Sequence, residues 1–191
     1  MKTAMRGYYE FMEGKPLTAH ITEIEMPDVP LWAIWALQQY AKETSKEECY
    51  KKYGQFIKDV ILFIQDNKHP NLKLMENGLL YTDGKDKAVT WMNSTANGRP
   101  VVPRTGYIVE FNALWYNAVC FCASLAEIAG DEASRQELLA SAEITKKSFV
   151  ETFLNEYGYL YDYVDGNMMD WSVRPNMIFP VAFDYSPLSQ D

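Results

Sequence analysis

Two segments of this chain are apolar around most of a helical circumference, and they alternate with segments that are apolar on one face only. Leu31, Trp32, Ile34, Trp35, Leu37 and Tyr40 leave little room for a polar side, so a helix there must be covered on several sides. The same holds for Val109–Ala129, which Gly130 ends. Lys46–Gln65 is different: Cys49, Tyr50, Tyr53, Phe56, Ile57, Val60, Ile61 and Ile64 recur at three- and four-residue steps, opposite Glu47, Glu48, Lys51, Lys52 and Lys58. A second one-faced helix runs from Asp131 to about Leu154, with Leu138, Leu139, Ala142, Phe149, Val150 and Phe153 inward. Enclosed helices alternating with half-exposed ones predict an all-α fold of paired helices in two concentric layers, as in an α/α toroid. No short helical repeat is evident in the sequence.

Turn residues set the expected boundaries. Residues 1–13 read as the tail of a helix stopped by Gly14 and Pro16, followed by an extended piece through His20–Ile24. Asp28 is placed to cap the next helix, with Pro30 tolerated in its first turn. Ser45 and Asp131 stand at the cap positions of the two one-faced helices. Residues 66–107 read as a long loop, residues 158–163 as a short strand or hairpin, and a last helical segment starts near Pro175. At 191 residues the chain is long enough for one domain, residues 1–191, with a sizeable core.

Bulk properties exclude several classes of function. A net charge of −8 offers no cationic excess to displace counterions from a nucleic acid, and it suits a neutral ligand. No apolar run approaches the roughly eighteen residues a membrane span needs. The N-terminus lacks an apolar signal core, so a cytoplasmic location is expected. Cys49, Cys120 and Cys122 fit no zinc or redox spacing and read as buried thiols in a reducing compartment. His20 and His69 stand apart, and neither a metal nor another cofactor is expected.

The densest chemistry lies in Thr90-Trp91-Met92-Asn93, Pro103-Arg104-Thr105-Gly106 and Val109-Glu110-Phe111-Asn112-Ala113-Leu114-Trp115-Tyr116-Asn117. An indole, amides, a guanidinium and a carboxylate gather around one loop that runs into an apolar helix. Sugars call for that mixture: an aromatic face covers the C–H side of a pyranose, and charged or amide groups hold its hydroxyls. As a string, the stretch resembles the glucosidase domain of glycogen-debranching enzymes (amylo-α-1,6-glucosidases), whose pattern reads approximately T-W-M-D followed by P-R-x-G-x-x-V-E-I-N-A-L-W-Y-N-A. The likeness extends to Pro27-Asp28-Val29-Pro30-Leu31-Trp32, to Val173-Arg174-Pro175-Asn176 and to Ser186-Pro187-Leu188-Ser189. It covers nearly the whole chain. It implies an (α/α)6 barrel, of which this chain would hold about half, and an α-glucan or oligosaccharide as substrate.

An inverting glycosidase uses a carboxylic acid to protonate the leaving oxygen and a carboxylate, about 6.5–9.5 Å away, to activate water. The resemblance places the acid at Asn93, where an amide cannot take that part, and the base beyond Asp191. The candidate substrate contacts are Asp28, Trp91, Arg104, Glu110, Asn112, Trp115 and Arg174. Glu110 can bind a hydroxyl or pair with Arg104, and Asp28 can equally serve as a plain helix cap. Asp170 and Arg174 can hold a pocket wall, whereas Asp83 and Asp86 are turn formers. Trp115 is as well placed for the core as for a pocket, and Trp32 and Trp35 favour the core. Met168 and Met169 read as gap-fillers. Asn112 and Asn117 need partners if buried. Three functions follow: a glycoside hydrolase-like domain, a non-catalytic carbohydrate-binding protein, or a helical protein-interaction scaffold. Half a ring would expose the flanks of Trp- and Phe-rich helices, so self-association, or docking on the remainder of a barrel, is expected.

Overall fold

A computed structural model describes residues 26–189. The helix tail expected at 1–13 and the extended segment at 20–24, with His20, lie outside the described residues. Four long helices dominate: α1 (Val29–Glu43), α2 (Lys46–Gln65), α3 (Val109–Ala129) and α4 (Glu132–Phe153). After them, a 3-10 turn over Pro175–Ile178 leads into the four-residue α5 (Phe179–Ala182), where the last helical segment was expected.

Helix α3 is the axis of the packing. It touches α1, α2, α4 and α5, and its first fifteen residues, Val109 to Ala123, are all buried. That burial is what an apolar circumference requires. Gly130 closes the helix in the left-handed conformation at φ 71°, and its N–H returns to the Ala126 and Glu127 carbonyls. Helices α2 and α4 bury one face each, although Tyr50 of the α2 stripe is exposed and Leu139 and Val150 of the α4 stripe are only half-buried at its margin. Their caps form as the sequence suggests: Ser45 accepts from the Glu48 N–H at 3.1 Å, and Asp131 from the Ser134 N–H at 3.1 Å.

The all-α expectation is corrected. The stretch read as loop contributes to a five-stranded antiparallel sheet in the order β1-β2-β5-β6-β7. Its strands are β1 (Lys73–Leu74), β2 (Leu80–Thr82), β5 (Gly106–Ile108), β6 (Tyr163–Asp165) and β7 (Met168–Met169). A separate hairpin pairs β3 (Thr95–Ala96) with β4 (Arg99–Pro100). The molecule is therefore mostly helical with a small sheet. A structureless run of about forty residues inside a compact domain is itself improbable, because its buried backbone would lack partners. Leu72, Leu79, Leu80 and Val89 are indeed buried there. Gly106 holds φ 84° where β5 lies against the backbone of Val164 and Asp165, a place with no room for a Cβ.

Two buried amides join these parts. Asn112 receives the Leu80 N–H at 2.7 Å and donates to the Leu80 carbonyl at 3.1 Å and the Ile108 carbonyl at 3.0 Å. It acts as one more backbone unit paired with β2. Asn117 donates to Gln38 at 2.7 Å and accepts from the Tyr185 N–H at 3.3 Å, which ties α3 to α1 and to the segment after α5. The three cysteines are free and buried. Substituting Asn112→Leu strands both backbone groups of Leu80, so urea unfolding should show a loss of about 2–4 kcal/mol.

Candidate functional site

Arg104 is 2 % exposed, and the site is assembled around it. Its guanidinium grips Glu110 with both terminal nitrogens: Nη2 lies 2.6 Å from Oε2, and Nη1 bonds Oε1. Its other edge grips Asp162, with Nε to Oδ2 at 2.7 Å and Nη2 to Oδ1 at 2.9 Å. Nη1 also reaches the Thr90 hydroxyl at 3.4 Å. All five N–H donors thus meet protein acceptors, in the planar fork geometry that suits carboxylates. The backbone is tied in as well, since the Asp162 carbonyl receives the Val109 N–H at 3.1 Å, at the joint of β5 and α3.

From Asp162 the network runs outward. Arg174 bonds its Oδ2 at 2.8 Å and Asp170 at 3.1 Å, and the Asn176 amide donates to its Oδ1 at 2.7 Å. The Asn176 oxygen accepts from the Trp91 indole at 3.1 Å. Trp91, 47 % exposed, meets Phe179 edge-on at 6.5 Å between ring centres. Its backbone N–H is held by Asp28 Oδ2 at 3.1 Å. Asp28 precedes α1 but caps nothing there. Its carboxylate goes instead to Trp91 and to the Trp32 indole at 3.3 Å.

Electrostatics follows from an imbalance. Asp28, Glu110, Asp162 and Asp170 face only Arg104 and Arg174. Desolvation opposes the charge of Arg104, but Glu110 and Asp162 outweigh it and hold the guanidinium above its ordinary range. Burial pushes the Glu110 carboxyl up, against the pull of Arg104. Partial burial works against the charge of Asp170, yet the Ser172 and Arg174 bonds keep it below its usual value. Asp28 touches no cation. Burial, then the nearby charge of Glu110, push it up to about 6.

The candidate residues thus fall into two groups. Trp91 and Asn93 are exposed, and Arg174, bonded to Asp162 and Asp170, is half-buried. Arg104, Glu110, Asn112, Trp115 and Asp28 are enclosed. Trp115 sits wholly in the core with its indole N–H unpaired among the described residues. Asp162 and Asn176, both fully buried, were not among the sequence candidates. The signal for Asp162 was a carboxylate within the Tyr161-Asp162-Tyr163 strand, which demands a cation if enclosed. Asn176 stood in view within the Arg-Pro-Asn string. A cleft of about 120 Å³ lies elsewhere, lined by Tyr50, Lys58, Cys122 and Leu138. Cys122 follows Glu110 by twelve residues on α3, about 18 Å along the helix, so the cleft is separate from the cluster. Burial pushes Cys122 up to about 11, which makes it an unreactive thiol. Among the described residues no group of His, Cys, Asp and Glu could hold a metal ion. No helix there is long and apolar enough to cross a membrane.

Fold and site together define a mostly helical domain in which an exposed indole is bonded, through a buried amide, to an enclosed frame of guanidinium and carboxylates. The chain belongs to the amylo-alpha-1,6-glucosidase family, whose model matches residues 20–191, and is a glycogen-debranching glucosidase-like domain. A search of the curated proteins found no match.

The raised Asp28 carboxyl has a stability consequence. The folded protein binds this proton more tightly than the unfolded chain does, so the contribution is complete below about pH 4 and is lost as pH rises through about 6. Asp28→Asn keeps an acceptor for the Trp91 N–H but does not titrate. The stability of wild type relative to this variant should fall by about 2–3 kcal/mol between pH 4 and pH 7 in urea titrations.

Proposed function

We propose that this domain binds a terminal α-linked glucosyl residue of an α-glucan at Trp91, with Asn93 and Arg174 as its polar contacts. In this reading the indole covers a sugar C–H face, while the Asn93 amide and the Arg174 guanidinium hold hydroxyls. Arg104, Glu110, Asp162 and Asn112 form the frame that fixes those groups, and Asp28 sets the Trp91 backbone. The observation that carries the proposal is the unbroken chain of bonds from Arg104 through Asp162 and Asn176 to the exposed Trp91, within a chain of this family. Rigid support of this kind is what an exposed ligand contact requires.

The layering of the helices supports a share of an (α/α)6 ring, with α3 as an inner helix and α2 and α4 as outer ones. Residues 1–191 then act as one unit, which other helices would complete. Hydrolysis in such a ring proceeds with inversion, one carboxylic acid serving the leaving oxygen and one carboxylate the water. Asn93 stands at the acid position and donates only amide hydrogens, so it can position a glycosidic oxygen but cannot protonate it. This residue favours a second reading, a carbohydrate-binding protein that has lost its acid.

Asn93→Asp separates the two. In the native polypeptide, glucose release from an α-1,6-branched dextrin should rise about 10²–10⁴-fold on this change, with a pH profile governed by the new carboxyl. A rate that stays flat at every pH would leave binding as the function.

A further inference from the structure

Beyond that site lies an aromatic surface that the proposed function does not use. Tyr157, Tyr159, Tyr161 and Trp171 come together from the turn after α4 and the strand ends around β6 and β7. Trp171 lies 4.7 Å from Tyr161, 6.1 Å from Tyr157 and 6.4 Å from Tyr159, between ring centres. Tyr157 and Tyr159 are stacked at 6.4 Å with planes 21° apart. Tyr157 is 71 % exposed and Trp171 44 %. An aromatic group of this size left in water is unusual unless something covers it.

We infer that these four side chains form a second carbohydrate-binding surface, which takes further glucosyl units of the α-glucan whose terminal residue the first site holds. The inference rests on the reading of the domain as α-glucan-binding. Three observations select this occupant. Among the described residues, no protein group bonds the three phenol hydroxyls or the Trp171 indole N–H. An apolar helix would leave those handles unpaired, whereas a sugar offers C–H faces to the rings and hydroxyls to the handles. The surface is also tied through the chain to the frame of the first site. Tyr161 precedes Asp162 and Trp171 follows Asp170, and both of these carboxylates bond Arg174. Finally, the chain carries a net charge of −8, which disfavours an anionic polymer and leaves a neutral one unopposed. Exposed Met168 and Val173 widen the apolar margin, so a second copy of the chain is the competing occupant.

The test is retardation of the 191-residue chain in native gels cast with glycogen, competed with maltoheptaose, alongside indole fluorescence titrated with maltose. Trp171→Ala should weaken glycogen retardation about tenfold, the loss of one aromatic anchor, while keeping the Trp91 part of the maltose response and the melting temperature. Tyr157→Ala, at the most exposed ring, should weaken retardation in the same direction, and it stands in if Trp171→Ala fails to fold. Wild-type protein that glycogen does not retard, or variants retarded as strongly as wild type, would overturn the inference. So would light scattering that shows a wild-type dimer dissolved by Trp171→Ala. Trp91→Ala should lose its own part of the maltose response and keep the Trp171-dependent part of the retardation. A wild-type protein blind to maltose yet held by glycogen would sink the first site and leave the second standing.

Discussion

The buried guanidinium of Arg104 organises everything near the candidate site, because a charge removed from water must be met on all sides. Taking such groups out of water costs several kcal/mol for each ion, and only close bidentate geometry returns that energy. Arg104 finds it in Glu110 at the start of α3 and in Asp162 just before β6. The helical layer and the sheet are therefore fastened at one point. The carboxylates outnumber the cations, and the surplus falls on Asp28, which holds backbone and indole N–H groups instead of a positive partner. Burial, and after it the nearby charge of Glu110, raises its pKa.

Much of the helical layer was legible because burial imposes a period on the sequence. The circumference of α3 and the stripes of α2 and α4 are long enough for that period to register, and Ser45, Gly130 and Asp131 marked their ends. The sheet was not legible in the same way. Its strands are two or three residues long, too short for an alternation, and they pair across large sequence distances: Tyr107 lies against Val164, and Tyr81 against Tyr107. What could be read there was the density of turn residues, which looked like loop. The apolar run Leu79-Leu80 and the need to bury it were the overlooked signal.

The site was legible in part for the same reason. Arg104 and Glu110 stand six residues apart, so their pairing could be weighed as one choice for Glu110. Asp162, fifty-eight residues from Arg104, reaches it only through the fold. Asp28 shows local and tertiary preference in conflict: its place before α1 fits a cap, yet its carboxylate goes to the loop carrying Trp91. Asn112 looked like a ligand contact because an amide on an apolar helix must bond something. That something is the main chain of β2.

Arg104 also decides how finely this polypeptide can be divided. Its acceptors come from both sides of the α3–α4 hairpin, so a cut anywhere between residues 110 and 162 removes Asp162 and leaves the guanidinium half-satisfied in a dry interior. Neither piece could bury the remaining charge cheaply. Domain boundaries and split-protein junctions should therefore avoid this whole interval, although its turn at the exposed Gly130 looks inviting.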